Sequence, residues 1–424
     1  MTCFFAWSRI VCCVLVWHVV ACSSSSERAN QSGNNTSAGV AATLAHLALQ
    51  EDACNHGDIA KCVELGVTYL KGSDVTKDIA KAARLFEVAC VGGKMTGCFN
   101  LGVLHNAGEG MAKNTVEAAA LFQRACTGGH MQACSALGVA YEHGNGVAKD
   151  PTKAVALFEQ ACTARDMSGC TNLGHVYGEG IGVAKDSVKA AALFEKACAG
   201  AYSQSCSNLG VLYTYGTGVA KDVVKATALF DQACTAGDMR SCSNLGLFHQ
   251  AGTGVAKDVV KAATFFQRAC TGNWMEGCFN LGVSYAHGFG IALNVSRAIA
   301  LYEQACTGGL MLGCFNLGVF YAHGTGVAKA PARATALYEQ ACTGGTMLAC
   351  FNLGVFYADG TGVAKDLARA ATLYQQACTG GTMLGCLNLG VLHHNGTGVP
   401  KDGAKAAALL QQACAGGIAR ACTK

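Results

Sequence analysis

Apolar residues recur along this chain with the period of an α-helix. Within residues 314–324, Leu317, Phe320 and Tyr321 fall at positions i, i+3 and i+4, which lie on one face of a helix. A glycine-rich segment follows, and a second stretch such as residues 153–162 is then rich in alanine and other strong helix formers. The pattern therefore predicts two helices joined by a short glycine-rich loop.

The two-helix pattern repeats with a fixed period. Cysteines recur every 36 residues, and each of them has a second cysteine eight positions later. This regularity predicts an all-α fold, an α/α solenoid of about ten hairpins of 36 residues arranged as a right-handed superhelix. The eleven pairs are Cys54 and Cys62, Cys90 and Cys98, Cys126 and Cys134, Cys162 and Cys170, Cys198 and Cys206, Cys234 and Cys242, Cys270 and Cys278, Cys306 and Cys314, Cys342 and Cys350, Cys378 and Cys386, and Cys414 and Cys422.

Some positions are constant within the repeats. Leu317 and Gly318 have a leucine and a glycine equivalent in all ten units. Because glycine inside a helix costs up to about 1 kcal/mol relative to alanine, we expect another backbone to pass too close to Gly318 for a Cβ atom. The alanine equivalent to Ala161 is also constant and is the expected partner surface. The aspartates predicted to cap second helices are Asp150, Asp186, Asp222, Asp258 and Asp366.

Three motifs recur in one order over residues 41–424. They are Asn-Leu-Gly-Val-x-Tyr, Gly-x-Gly-Val-x-Lys-Asp and Ala-x-x-Leu-Phe-x-x-Ala-Cys. The 36-residue repeat resembles the Sel-one-like repeat, a relative of the tetratricopeptide repeat. With a cysteine pair in every repeat, the chain is similar to the Helicobacter cysteine-rich protein family. That resemblance implies a second possible function, a β-lactamase-like or penicillin-binding hydrolase. A mitochondrial assembly factor uses a similar repeat, so an oxidising organelle is an alternative compartment.

The cysteine pairs predict structural disulfide bonds. Each pair spans the turn between two antiparallel helices, where residues i and i+8 come within the Cα separation of about 5–6 Å that a disulfide needs. Each bridge closes a loop of about nine residues and contributes about 2.6 kcal/mol on the chain-entropy model. Zinc sites use closer cysteine spacings and redox sites use C-x-x-C, and the sequence contains neither pattern. We therefore expect no metal site.

The N-terminal region predicts export. The apolar run at residues 10–20 is too short to span a bilayer and suits a signal peptide. It ends in Ala21 and Cys22, which resembles a bacterial lipobox with Cys22 as the lipidated residue; plain cleavage and an uncleaved anchor are the alternatives. The predicted organisation is a signal peptide over residues 1–22, a flexible Ser/Asn/Gly tether over 23–40 and the solenoid over 41–424. The predicted location is the cell envelope, as a periplasmic or outer-membrane lipoprotein, or the secreted fraction.

Composition and motifs argue against nucleic-acid binding and known catalytic sites. The formal charge is +4 and only 14% of residues are charged, with no basic run that interleaves aromatics. No serine has a lysine three positions later, and there is no K-T-G, S-D-N, G-x-S-x-G, H-E-x-x-H or Walker A sequence. We expect no cofactor and no catalytic residue, although the hydrolase alternative implied by the resemblance stays open.

An asparagine row is the candidate ligand site. Asn316 precedes the constant Leu-Gly pair, and eight of ten units carry asparagine there although it is a mediocre residue for a helix interior. An amide offers donors and an acceptor to a peptide backbone, which favours a groove that binds a protein, a peptide or a cell-wall fragment. The alternative is that the amides join neighbouring units. The predicted groove residues are Asn172, Asn208, Asn244, Asn280, Asn316, Asn352, His287 and His323.

Overall fold

The computed structural model describes residues 37–72 and 75–422. Within these residues the chain forms 21 α-helices and one short 3-10 helix, with no strand. The helices are α1 (Ser37–Asn55), α2 (Ile59–Lys71), α3 (Ile79–Val91), α4 (Met95–Ala107), α5 (Thr115–Thr127), α6 (Met131–His143), α7 (Pro151–Thr163), α8 (Met167–Glu179), α9 (Ser187–Ala199), α10 (Ser203–Tyr215), α11 (Val223–Thr235), α12 (Met239–Ala251), α13 (Val259–Thr271), α14 (Met275–His287), α15 (Val295–Thr307), α16 (Met311–His323), α17 (Pro331–Thr343), α18 (Met347–Asp359), α19 (Leu367–Thr379), α20 (Met383–Asn395) and α21 (Gly403–Ala415), followed by a 3-10 helix at Ala419–Ala421.

From α1 to α9 and from α11 to α21, helices that are consecutive in the chain pack against each other, as expected for a solenoid. The even-numbered helices α2 to α20 are the first helices of repeats 1 to 10, and the odd-numbered helices α3 to α21 are the second helices. The chain divides into two compact units. Unit 1 comprises Met1–Ser205 and Gly216–Ala220, and unit 2 comprises Cys206–Tyr215 and Lys221–Lys424. The all-α solenoid predicted from the repeats is therefore confirmed.

Side chains and glycines define where the helices begin and end. The Asp150 carboxylate accepts a hydrogen bond from the Lys153 backbone N–H at 3.1 Å, which satisfies one of the free donors at the start of α7. First helices end instead at a glycine in the left-handed conformation, such as Gly324 with a φ of 75°. The predicted caps Asp150, Asp186, Asp222, Asp258 and Asp366 are all confirmed.

The constant glycine of the first helices packs against an aromatic ring in α2 to α18, and against the Leu410 side chain in α20, rather than primarily against a backbone. A Cβ atom at Gly318 would lie 2.7 Å from the Tyr338 ring, and the next-nearest atoms also belong to that ring. Ala161 has a different partner from the one expected, because its Cβ lies 2.6 Å from the position of a Cβ at Gly169. The sequence prediction of a close approach at Gly318 was thus correct, but its assignment to another backbone was wrong.

The predicted disulfide framework is present. Ten bridges join cysteines eight residues apart, with Cα separations from 4.4 to 4.9 Å, slightly shorter than expected. Cys198 and Cys206 are also disulfide-bonded cysteines. Eight of these ten bridges join a second helix to the next first helix, so those turns between repeats are covalently closed; Cys54–Cys62 joins α1 to α2, and Cys414–Cys422 joins α21 to the residue after the 3-10 helix.

The N-terminal predictions lie mostly outside the described residues. The predicted signal peptide and the lipidation residue Cys22 belong to that part of the chain. Helix α1 begins at Ser37, inside the stretch 23–40 predicted to be a tether. Among the helices that the structure describes, none combines the length and the apolar character needed to cross a bilayer.

Candidate binding surface

Each first helix presents one stripe of side chains away from its buried leucine. In α16 the stripe contains Leu312, Asn316, Val319 and His323, which share one helix face by their spacing. Leu312 is 46% exposed, Asn316 and Val319 are half-buried and His323 is exposed, whereas Leu317 is buried. We call this stripe and its equivalents in the other repeats of unit 2 the first-helix surface.

The predicted groove residues all lie on first helices. The six asparagines are half-buried, and the two histidines are exposed. Asn172 belongs to unit 1 and the other residues belong to unit 2. Their positions are Asn172 on α8, Asn208 on α10, Asn244 on α12, Asn280 on α14, Asn316 on α16, Asn352 on α18, His287 at the end of α14 and His323 at the end of α16.

Some of these amides already have a partner within the protein. The Asn316 side chain is hydrogen-bonded to the hydroxyl of Tyr302, which lies on the second helix of the preceding repeat. Burial raises the pKa of Tyr302 to about 12, and the hydrogen bond with Asn316 partly opposes that rise. Burial likewise raises the pKa of the tyrosines that pair with Asn352 and Asn388, namely Tyr338 and Tyr374. These three amides join neighbouring repeats.

Asn208 is held by a different contact. The Arg240 Nη2 atom on α12 donates to the Asn208 side-chain oxygen at 2.7 Å and to the Ser207 hydroxyl at 3.0 Å. Arg240 therefore links the first helices of repeats 5 and 6. This amide has less capacity left for a ligand than an unpaired one.

The other three predicted asparagines carry no such tie. Within the described residues, Asn172, Asn244 and Asn280 have no side-chain hydrogen bond, and none of their polar atoms is fully buried without a partner. In the repeat that precedes each of them, the position that corresponds to Tyr302 is a phenylalanine, which has no hydroxyl to offer. The corresponding phenylalanines are Phe158, Phe230 and Phe266. These three amides keep their full hydrogen-bonding capacity.

A cavity of about 310 Å³ lies in unit 2 between repeats 7 and 8. It brings together two predicted groove residues, Asn316 and His287. The Tyr302 and Phe320 rings form one wall, with ring centroids 5.7 Å apart and an angle of 50° between the rings. The remaining lining residues are Ala286, Val295, Val319 and Thr325. The cavity is therefore mostly apolar, with an amide–phenol pair as its main polar group.

The sequence matches the Sel1 repeat family over most of its length. The chain belongs to this family. The matched residues are 62–92, 96–130, 132–166, 168–202, 203–238, 240–273, 276–310, 312–346, 348–382 and 384–418. The resemblance stated from the motifs is thus confirmed. No curated protein sequence matches the chain.

Several solved Sel1 repeat proteins are similar to the chain. The protective antigen c5321 from uropathogenic Escherichia coli strains, which has an SLR fold, is 28% identical with a TM-score of 0.61, covering 88% of this chain and 80% of that one. A Sel1 repeat protein from Oxalobacter formigenes is 26% identical with a TM-score of 0.52, covering 57% and 96%. Helicobacter pylori cysteine rich protein B is 31% identical over 31% of this chain and 93% of its own, with a TM-score of 0.26.

Sel1 repeat proteins generally bind other proteins, and this chain is a repeat scaffold of that general interaction type. Its disulfide bonds indicate an oxidising environment outside the cytoplasm, because reducing compartments keep such thiols free.

Sequence reasoning missed a second set of contacts that stabilise the Sel1 repeats. The Arg333 guanidinium lies 4.3 Å from the centre of the Tyr321 ring and forms an ion pair with Glu303 at 3.0 Å. The signal was present in the sequence, because most repeats combine a tyrosine in the first helix with a lysine or arginine twelve residues later. This cation lies over the tyrosine of its own repeat and reaches the preceding second helix, so it has a structural role.

The histidines that replace this tyrosine pack as it does. His249 is buried and stacks on Phe265 with 5.5 Å between ring centroids. His393 is buried, and its Nδ1 atom lies 3.2 Å from the Pro400 carbonyl oxygen. The part of the chain that the structure describes contains no cluster of histidine, cysteine, aspartate or glutamate side chains suited to a metal ion.

Proposed function

We propose that this protein is a scaffold of the cell envelope or the secreted fraction that binds an extended protein segment along its first-helix surface. The free amides of Asn244 and Asn280, which both lie in unit 2, make hydrogen bonds to the backbone of that segment. Variable neighbours in the stripe, such as His287 and His323, then contribute side-chain specificity. Export or lipidation at Cys22 would deliver the scaffold to the oxidising compartment that its disulfides require.

The proposal rests on a difference within the asparagine row. Some amides are tied, which means that they are hydrogen-bonded to a side chain of another repeat, and the others are free of such a partner. Asn316, Asn352 and Asn388 have a tyrosine partner, so packing accounts for them. Asn244 and Asn280 occupy the same helix position without a partner, and asparagine is unfavourable in a helix interior. A free, half-exposed amide that recurs on one face is suited to backbone recognition, because it can both donate and accept.

The test compares two double variants in unit 2. Peptides are selected on the full-length protein from a displayed random library, and the best one is labelled for fluorescence anisotropy. Asn244→Ala with Asn280→Ala removes free amides and should weaken peptide binding about tenfold, since each hydrogen bond contributes about 0.5–1.5 kcal/mol. The melting temperature should stay close to that of the wild type, because alanine is the better helix former.

The matched control removes tied amides from the same helix position. Asn352→Ala with Asn388→Ala should lower stability, because Tyr338 and Tyr374 lose their partners, and should change peptide affinity less. The proposal is wrong if no library peptide binds the wild type. It is also wrong if the two double variants lose affinity equally, because the free amides would then have no special role.

A further inference from the structure

The cavity between repeats 7 and 8 has the chemistry of an anchor site. We propose that it accepts one uncharged aromatic side chain with a polar ring atom, a tyrosine or a tryptophan, from the protein segment bound on the first-helix surface. This inference rests on the proposed function and adds the identity of the residue that the scaffold selects. In this proposal, the side chains of Val319, Phe320 and Asn316 form walls of the cavity that receives the anchor.

The size of the cavity fits one large side chain. Its volume of about 310 Å³ is at the lower limit of the range of about 300–1,000 Å³ usual for small-molecule sites. An aromatic side chain is large enough to fill much of such a space and buries more surface than most other residues. A single inserted side chain is therefore a better match than a whole cofactor.

The walls favour an aromatic ring over an aliphatic group. The half-buried Phe320 ring lies beside the cavity, at 50° to the nearly fully buried Tyr302 ring, and an aromatic side chain packs well on such a ring in an offset or edge-to-face arrangement. Val319 closes the cavity with an apolar side chain from α16. The lining contains no aspartate, glutamate, lysine or arginine, so a charged anchor would be desolvated without compensation.

One polar group in the lining selects among the aromatic residues. The Asn316 amide has two N–H donors and a carbonyl oxygen that accepts two hydrogen bonds, and the single Tyr302 hydroxyl occupies only part of this capacity. A tyrosine hydroxyl or a tryptophan N–H can use the remainder. Phenylalanine would leave the amide without that additional bond, which makes it the weaker anchor.

Exposed apolar side chains surround the same region. Phe289 is 45% exposed and its ring stacks on His287, a lining residue, with 5.3 Å between centroids. Leu312 is 46% exposed and lies one helical turn before Asn316, and Leu348 is its equivalent in the next repeat with 44% exposure. At the position of Leu312, most earlier repeats have a polar residue such as Gln132 or Ser168. These side chains add apolar surface where the bound segment would flank its anchor.

Filling the cavity is the direct test. Peptides selected on the full-length wild type should share one fixed tyrosine or tryptophan. Val319→Trp places a bulky ring in the cavity and should weaken binding of the labelled peptide at least about tenfold. Val391→Trp makes the same change at the equivalent, half-buried position of repeat 10 and should leave affinity within about twofold of the wild type.

Peptide variants and a contact measurement complete the test. Replacing the fixed anchor by phenylalanine should weaken binding less than replacing it by glutamate, because only glutamate introduces a buried charge. Nuclear Overhauser contacts between the anchor ring and the Val319 methyl groups are expected in the wild-type complex, which covers the case in which Val319→Trp fails to fold. The anchor proposal is wrong if the selected peptides share no aromatic residue or if those contacts are absent. It is also wrong if Val319→Trp binds the labelled peptide as tightly as the wild type does. Loss of binding in Asn244→Ala with Asn280→Ala but not in Val319→Trp would reject the anchor and leave the scaffold proposal standing.

Discussion

The hydroxyl of Tyr302 is hydrogen-bonded to the amide of Asn316 across the junction between two consecutive repeats. Tyr302 is 1% exposed, so its hydroxyl depends on this partner. The contact explains why an asparagine stands in the middle of α16, where it is a poor helix former. It also separates Asn316 from Asn280, which occupies the same position one repeat earlier and faces a repeat with Phe266 in place of the tyrosine.

Removing this hydroxyl should cost little stability. Tyr302→Phe deletes one buried hydrogen bond and leaves the ring packing, which phenylalanine provides in other repeats, as at Phe266. We expect the free energy of unfolding to fall by about 0.5–1.5 kcal/mol, measured by urea denaturation. Phe266→Tyr is the reverse change and should give Asn280 a partner. An unchanged stability of Tyr302→Phe would mean that the hydrogen bond makes no net contribution.

Alkaline pH should weaken the fold through Tyr302. The pKa of this phenol is raised from 10.0 to about 12, so the folded state keeps a proton that the unfolded state has already lost. The stabilisation is fully present below pH 10 and is lost as the pH rises from 10 to about 12. Over that window the wild type should lose about 1.4 kcal/mol per pH unit from this residue, and Tyr302→Phe should lack that component.

Comparison of the two proteins isolates the contribution of Tyr302. Tyr338 and Tyr374 also have a raised pKa because they are buried, but they are present in both proteins and cancel in the difference. Urea denaturation between pH 9 and 11.5 at matched ionic strength measures that difference. Parallel pH profiles would contradict the assignment of the raised pKa to Tyr302.

The repeat framework could be predicted from the sequence because it depends on local periodicity. Helix faces follow from residues three or four apart, and disulfides join positions only eight apart, so the pairing of Cys306 with Cys314 follows from their spacing. Capping by Asp150 is also local, since its partner is three residues away. The partner of Gly318 could not be assigned in this way, because it depends on which part of the next helix lies opposite.

The candidate site was only partly predictable for the same reason. The asparagine row was visible as a recurrence, but whether an amide is tied depends on a residue fourteen positions earlier on another helix. The sequence signal that distinguishes the two kinds of amide is small: Phe266 and Tyr302 occupy the same repeat position and differ only by one hydroxyl group. The cavity at Asn316 depends on the separation of two repeats, and no local pattern encodes that distance.

Removing one disulfide should destabilise the protein without altering its fold. Replacing both Cys306 and Cys314 by alanine removes a disulfide that joins two positions eight residues apart. The loss expected on the chain-entropy model is about 2.6 kcal/mol, measured by denaturation under non-reducing conditions. Circular dichroism should still report helices, because α15 and α16 keep their packing. Peptide mapping that found Cys342 paired with any residue other than Cys350 would contradict the framework.

Adding a single methyl group to the constant glycine should destabilise a repeat although it improves helix propensity. A Cβ at Gly318 would lie 2.7 Å from the Tyr338 ring, which is nearly completely buried and has little room to move. Alanine would gain up to about 1 kcal/mol from propensity, but overpacking typically costs about 1–3 kcal/mol. We therefore expect Gly318→Ala to lower the free energy of unfolding by up to about 2 kcal/mol in urea denaturation.

Gly403→Ala is the matched control for this substitution. Gly403 is also helical, at the start of α21, and a Cβ there would have no heavy atom within 4 Å. Because the added methyl group would not overpack, the substitution changes only the conformational freedom of the backbone. Gly403→Ala should therefore leave the free energy of unfolding unchanged or raise it by up to about 1 kcal/mol. If Gly318→Ala were stabilised as much as Gly403→Ala, the ring contact would not be the reason for this glycine. Opposite signs for the two variants would locate the cost in the Tyr338 ring, because both substitutions add the same methyl group to a helical glycine.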